Sequence, residues 1–136
     1  MLTEQQTSIV IVESQHLMRA ALSTAISAEG LKVVAEIVDS RDTLQIASPL
    51  TPDLILFSVN GSSLKELETL SALRQGLPNT SIVALVTGEF RGQFQSALDY
   101  GAHLVLTKST PRLDLLNALK DVSQKKIVPA NVQADY

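Results

Sequence analysis

The sequence predicts an α/β protein, a three-layer sandwich in which one five-stranded parallel sheet is covered by five helices. Short runs rich in Val, Ile and Leu recur along its 136 residues, at Ser8–Val12, Leu31–Val38, Asp53–Val59, Ser81–Thr87 and Ala102–Thr107. Three of these runs hold stretches that are apolar without alternation, Ile9–Val12, Leu54–Phe57 and Ile82–Val86. Strands read that way when both faces are buried, as in a parallel sheet between helices. The interval between one run and the next leaves room each time for a crossover helix.

After the first run, Leu17, Met18, Ala21, Leu22, Ala25 and Ile26 recur at helical spacing as one apolar stripe, with Gly30 as the stop. A second helix is expected around Arg41–Ala47. Ser63-Leu-Lys-Glu66 reads as a capping box ahead of Leu67, Leu70 and Leu73, and Gly76 with Pro78 ends that third helix. Phe94, Ala97 and Leu98 mark the fourth helix, before Gly101. Thr110, capping a helix with Pro111 at its first position, opens the fifth, with Leu115, Leu116, Leu119 and Val122 facing inward. No stripe continues beyond Val122, so the chain divides into a domain over residues 1–122 and a tail or start of a linker over 123–136.

Composition narrows the function. Apolar residues make up 45% of the chain, and six glycines with five prolines are too few for a disordered or collagen-like chain. A net charge of −3 argues against this chain gripping a nucleic-acid backbone by itself. The absence of cysteine excludes a disulfide scaffold, a thiolate zinc site and a Cys nucleophile. The opening Met-Leu-Thr-Glu lacks the positive region of a signal peptide, and no apolar run approaches the roughly 18 residues that span a bilayer. A cytoplasmic domain without membrane contact is the expectation.

In open parallel sheets, chemistry gathers at the carboxyl ends of the strands. The residues delivered there are Glu13-Ser14-Gln15, Ser58-Val59-Asn60, Thr87-Gly88 and Lys108-Ser109. Ser58 lacks a Gly-x-Ser-x-Gly setting, so a buried strand-end serine is favoured over a hydrolase nucleophile. Glu13 reads either as a metal ligand or, more simply, as the partner of Lys108. His16 and His103 have no acid at metal-binding spacing and read as surface histidines. Asn60-Gly61 resembles a turn, although a following helix argues against a hairpin.

Ile9–Arg19, Pro52–Ser58, and Gly101-Ala102 followed by Lys108 together resemble a response-regulator receiver domain, more narrowly the receivers of LuxR-type transcription regulators. The similarity covers about residues 8–122, and it implies a flavodoxin-like sheet of order 2-1-3-4-5. Receivers carry two acids after the first strand that hold Mg²⁺, and these align with Glu13 and Ser14. The phosphoacceptor aspartate aligns with Ser58, the hydroxyl residue after the fourth strand with Thr87, and the family lysine with Lys108. The switch aromatic of the fifth strand aligns with Val105. The resemblance thus implies a degenerate phosphorylation pocket with no metal and no cofactor. Phosphoryl transfer depends on cancelling charge at the transferring oxygens, which one carboxylate does poorly. Asp53 cannot substitute, lying roughly 17 Å along the strand from Ser58.

The expected function is therefore that of a non-enzymatic pseudo-receiver in signal transduction or transcription regulation, working by protein–protein interaction. Its partner would be a second copy or another signalling protein. DNA would be reached only through a helix-turn-helix domain not in this chain, since Lys126–Val132 resembles the linker that precedes one. The resemblance implies a partner surface on the fourth helix, fifth strand and fifth helix, where Phe90, Tyr100, His103 and Leu113 are the candidates. The alternative is a small-molecule-binding flavodoxin-like domain. Against it, the loop after the first strand offers no glycine and carries Glu13, and neither a Gly-x-Gly-x-x-Gly nor a Walker sequence occurs.

Overall fold

The computed structural model describes residues 6–60, 64–89 and 92–124. Strands β1 (Ser8–Val12), β2 (Lys32–Ile37), β3 (Leu54–Val59), β4 (Ser81–Val86) and β5 (Leu104–Thr107) alternate with helices α1 (His16–Ala28), α2 (Thr43–Leu50), α3 (Leu64–Gly76), α4 (Gln93–Asp99) and α5 (Arg112–Ser123). The strands form one sheet in the order β2-β1-β3-β4-β5, and every pairing is parallel. The expected fold and strand order are both present.

The continuously apolar strands follow from the twofold period of a strand. Ile9, Ile11, Leu54, Leu56, Val83, Leu85, Leu104 and Leu106 face one side, where they pack with Leu22 and Ile26 of α1 and Leu115, Leu116 and Leu119 of α5. The intervening Val10, Val12, Ile55, Phe57, Ile82, Ala84 and Val105 face the other, against Ala47 of α2, Leu70 and Leu73 of α3 and Ala97 of α4. Two half-cores share the sheet, and neither face is left to water.

Several local expectations need correction. Leu17 does not join the inward stripe of α1: it is 83% exposed, and Ala21 is exposed as well. Leu17 sits in the first turn, and the helix buries Leu22 and Ile26 instead. Thr110 does not cap α5. Pro111 takes the cap position with an extended backbone (φ −55°, ψ 145°), and the Thr110 hydroxyl pairs with that of Thr107. The second helix is a 3₁₀ turn over Ser40–Asp42 leading into α2, which runs on through Pro49 to Leu50. The run Asp53–Val59 starts as a strand one residue later: the Asp53 backbone N–H donates to Ser8 Oγ at 3.0 Å in place of a ladder carbonyl, and its carboxylate accepts from the Ser8 backbone N–H at 2.8 Å. Ser63 of the expected capping box lies outside the described residues, and so does the proposed linker.

Gly101 has φ +123°, a region that only glycine occupies readily, and a Cβ there would lie 2.9 Å from Arg74 Cβ. Gly30 has φ +85° with nothing within 4 Å of an added Cβ. Gly30→Ala is therefore expected to lose about 1 kcal/mol in urea unfolding, and Gly101→Ala at least ~2 kcal/mol. Equal losses would show that backbone strain alone, without crowding against Arg74, sets the cost.

Candidate functional site

Parallel strands deliver all their following loops to one end of the sheet, so the first residues past β1, β3, β4 and β5 meet there. Glu13 directly follows β1 and is 1% exposed. One of its carboxylate oxygens accepts from the Gln15 backbone N–H at 2.9 Å, the other from Lys108 Nζ at 3.1 Å. Lys108 directly follows β5, its backbone N–H donating to the Val86 carbonyl of β4 at 2.8 Å. The same ammonium donates to the side-chain oxygen of Asn60, just past β3. Asn60 in turn donates its amide to Ser14 Oγ at 3.0 Å, and its backbone N–H to Glu66 Oε2 of α3 at 3.3 Å. One connected polar network thus joins the ends of β1, β3 and β5 to the first turn of α3.

Electrostatics follow that network. Burial pushes the Glu13 carboxyl up, but the Gln15 N–H, the neighbouring Ser58 hydroxyl and Lys108 outweigh it and hold the group below its usual value. Glu66 goes the other way: burial and the nearby Glu13 charge raise it, against the pull of the Asn60 N–H and Lys108. Ser58 is 2% exposed, and although it lies beside Glu13 no hydrogen-bond partner stands in good geometry to its hydroxyl. A cavity of about 440 Å³ opens beside these groups, walled in part by Glu13, Ser14, Asp39, Ser58, Asn60 and Glu66.

The structure brings Glu13, Ser14 and Lys108 into one network and puts Ser58 in the wall of the adjacent cavity. Thr87 belongs to a second cluster, its hydroxyl donating to Gln93 Oε1 at 3.3 Å while the Gly88 N–H donates to the same oxygen at 2.8 Å. Val105 is fully buried and faces α3 and α4. Of the partner-surface candidates, Leu113 is 65% exposed. Tyr100 is half-buried against the second half-core. His103, half-buried, bonds to the Ile82 backbone N–H and to Arg74. Tyr100 and His103 precede β5 and Leu113 follows it, so they lie at opposite ends of that strand. Phe90 lies outside the described residues.

Sequence reasoning places Asn60 at this end of the sheet without giving it a role, and it misses Glu66, Gln93 and Arg19 as site residues. Arg19 Nη1 donates to the Glu13 carbonyl at 2.9 Å and so fixes the β1–α1 connection. The signal for Asn60 is its place two residues beyond Ser58, at the same end of the sheet, which does not specify its partners Lys108 and Ser14.

Residues 9–120 match the response regulator receiver domain family. The chain is 29% identical over 129 residues to the nitrate/nitrite response regulator protein NarL of Escherichia coli (strain K12), covering 94% of this chain and 60% of that one. It is 23% identical over 126 residues to the nitrate/nitrite response regulator protein homolog of Haemophilus influenzae, covering 92% and 61%. It therefore spans about 60% of the length of these curated relatives. Among solved structures it is similar to a LuxR-family two-component response regulator from Aurantimonas sp. SI85-9A1, with TM-score 0.80, 20% identity and 89% and 87% coverage. It is also similar to a LuxR-family DNA-binding response regulator from Staphylococcus aureus, with TM-score 0.77, 20% identity and 86% and 98% coverage.

Removing the Lys108 cation leaves Glu13 buried without its counter-charge, so Lys108→Met is expected to cost about 3 kcal/mol in urea unfolding at neutral pH. Because the folded Glu13 carboxyl titrates below its usual value of 4.5, its contribution is complete above that pH. It is lost as pH falls through the folded value. Glu13→Gln should flatten the acid limb of the stability profile over that window. Unchanged stability in Lys108→Met would show that the pair has no net coupling.

Proposed function

The chain belongs to the response regulator receiver domain family, and we propose that it is a pseudo-receiver of a LuxR-type regulator, acting by protein–protein contact instead of aspartyl phosphorylation. The observation that carries this reading is Ser58, a buried hydroxyl at the end of β3 where the family resemblance calls for the phosphoacceptor carboxylate. A serine hydroxyl without a base is a poor nucleophile, and its phosphoester lacks the lability of an acyl phosphate.

The donor set supports the same reading, because it does not fit Mg²⁺. That ion usually takes one or two carboxylates together with waters and phosphate oxygens. Glu13 is the one acid of the expected pair, and both its oxygens are engaged. Ser14 offers a hydroxyl already held by Asn60. Among the described residues no group of three His, Asp or Glu side chains suits a metal ion. Lys108, the group that would neutralise a phosphoryl oxygen, is shared between Glu13 and Asn60. Val105 supplies no ring to carry a change from the pocket to the outer face.

On this reading the module is not itself an enzyme, and its partner is a second copy or another signalling protein. Leu113, on the fifth helix, is the exposed apolar residue that the α4–β5–α5 face offers among the described residues. DNA contact, if made, would belong to a helix-turn-helix domain and not to the receiver residues.

Incubation with acetyl phosphate and Mg²⁺ should leave the intact mass unchanged, and beryllofluoride should leave the amide NMR spectrum unchanged. A phosphate-sized mass gain mapping to Ser58 would falsify the proposal. Restoring carboxylates separates the two deficits. Ser58→Asp alone should label poorly, whereas Ser14→Asp/Ser58→Asp should regain some labelling, since it adds the second metal carboxylate. Equal labelling of the single and double variants would show that the metal side is not limiting.

A further inference from the structure

Three features meet at the carboxyl-terminal end of the sheet that loss of phosphorylation does not explain. The cavity beside Glu13 keeps a polar group in its wall, the Ser58 hydroxyl, that is 2% exposed and, although beside the Glu13 carboxylate, has no hydrogen-bond partner in good geometry. A buried hydroxyl without a well-placed partner is destabilising.

The same cavity holds an acid that forms no direct ion pair among the described residues. Glu13 is matched by Lys108 at 3.1 Å and Asp39 by Arg41 at 2.6 Å. Glu66 accepts only the long 3.3 Å bond from the Asn60 N–H and, among the described residues, forms no ion pair. Burial and the proximity of Glu13 hold its carboxyl above the usual value, because the Asn60 N–H and the more distant Lys108 charge do not offset them.

Exposed apolar side chains stand at the same end of the sheet, and one of them, Val38, lines the cavity. Leu17 is 83% exposed, Leu113 65%, Leu64 57% and Val38 55%. Leu17, Leu64 and Leu113 stand in the first turns of α1, α3 and α5, and Val38 directly follows β2, so the parallel topology brings all four to the cavity's end of the sheet. Exposed apolar side chains that share one end of a sheet mark an interaction surface more often than scattered ones do.

Resting on the signalling reading above, we propose that this end of the sheet docks a partner protein through one arginine flanked by apolar residues. The guanidinium enters the cavity, donating to the Glu66 carboxylate and the Ser58 hydroxyl, while the flanking side chains cover Leu17, Val38, Leu64 and Leu113. Arginine suits this arrangement because its planar fork reaches two acceptors at once from an apolar stem. Anionic ligands are disfavoured by three surrounding carboxylates, of which only two are paired.

The probe is an acetylated and amidated Leu-Leu-Arg-Leu-Ser peptide, compared with its Arg→Gln counterpart by titration into the ¹⁵N-labelled full chain. The arginine peptide should shift the amides of Glu13, Ser58, Asn60 and Glu66 and bind at least about tenfold more tightly than the glutamine peptide. Glu66→Gln, with its amide dispersion retained, should remove that preference, and Leu17→Ser/Leu113→Ser should weaken the arginine peptide about threefold or more. The proposal is overturned if both peptides bind alike, or if Glu66→Gln keeps the preference. It is likewise overturned if free arginine binds as tightly as the peptide, or if Mg²⁺ alone saturates the same shifts. Labelling by acetyl phosphate is read by mass, so failure of the signalling reading is distinguishable from failure of peptide docking.

Discussion

A carboxylate withdrawn from water is the constraint around which the rest of this molecule is arranged. Glu13 is the one charged residue among the described residues that is fully buried. A charge held there must meet donors or a cation, because desolvation otherwise costs far more than a domain of this size can absorb. The Gln15 N–H and the Lys108 ammonium meet that need, and the requirement then spreads. Lys108 is held by Asn60, Asn60 by Ser14, and the Asn60 backbone by Glu66. Loops that follow three different strands are thereby fixed relative to one another. Such a pair adds little net stability compared with an apolar replacement, and its larger effect is to specify one arrangement of the loops.

The sheet was legible because burial on both faces leaves a mark that composition alone preserves. Ile9–Val12 and Ile82–Val86 are apolar at successive positions, and two half-cores divide their side chains alternately. Helix α1 was less legible. Alanine is compatible with core and with solvent, so a stripe of Leu17 and Ala21 with Leu22 and Ile26 did not reveal which members turn outward. Thr110-Pro111 carried a capping signal, yet the proline adopted an extended backbone outside the helix and left Thr110 to Thr107.

The site divided along the same line. Glu13, Ser58 and Lys108 could be placed by strand ends, because a residue directly past a parallel strand has little freedom in where it emerges. Asn60, Glu66 and Gln93 depend on contacts between loops, and Asn60 meets Ser14 across 46 residues of sequence. No local pattern encodes such a meeting. The Thr87 hydroxyl illustrates the limit, for its position was foreseen and its partner, the buried Gln93, was not.

Ser58 sets how much charge this end of the sheet must accommodate. A receiver with three clustered acids holds a repulsion that a bound cation relieves, so its loops are poised between arrangements that an ion or a phosphoryl group can select. With serine at 58 and at 14, one acid of that cluster remains, and a lysine from the same chain already answers it. A ligand shifts an equilibrium only by its differential affinity for two states. An ion offered to this pocket would have to displace Lys108 from Glu13 to gain any, and the Thr87 hydroxyl is meanwhile held by α4. On the pseudo-receiver reading the fold is therefore kept in one arrangement by its own side chains. On that same reading, regulation would come from the supply of a protein that fits its surface.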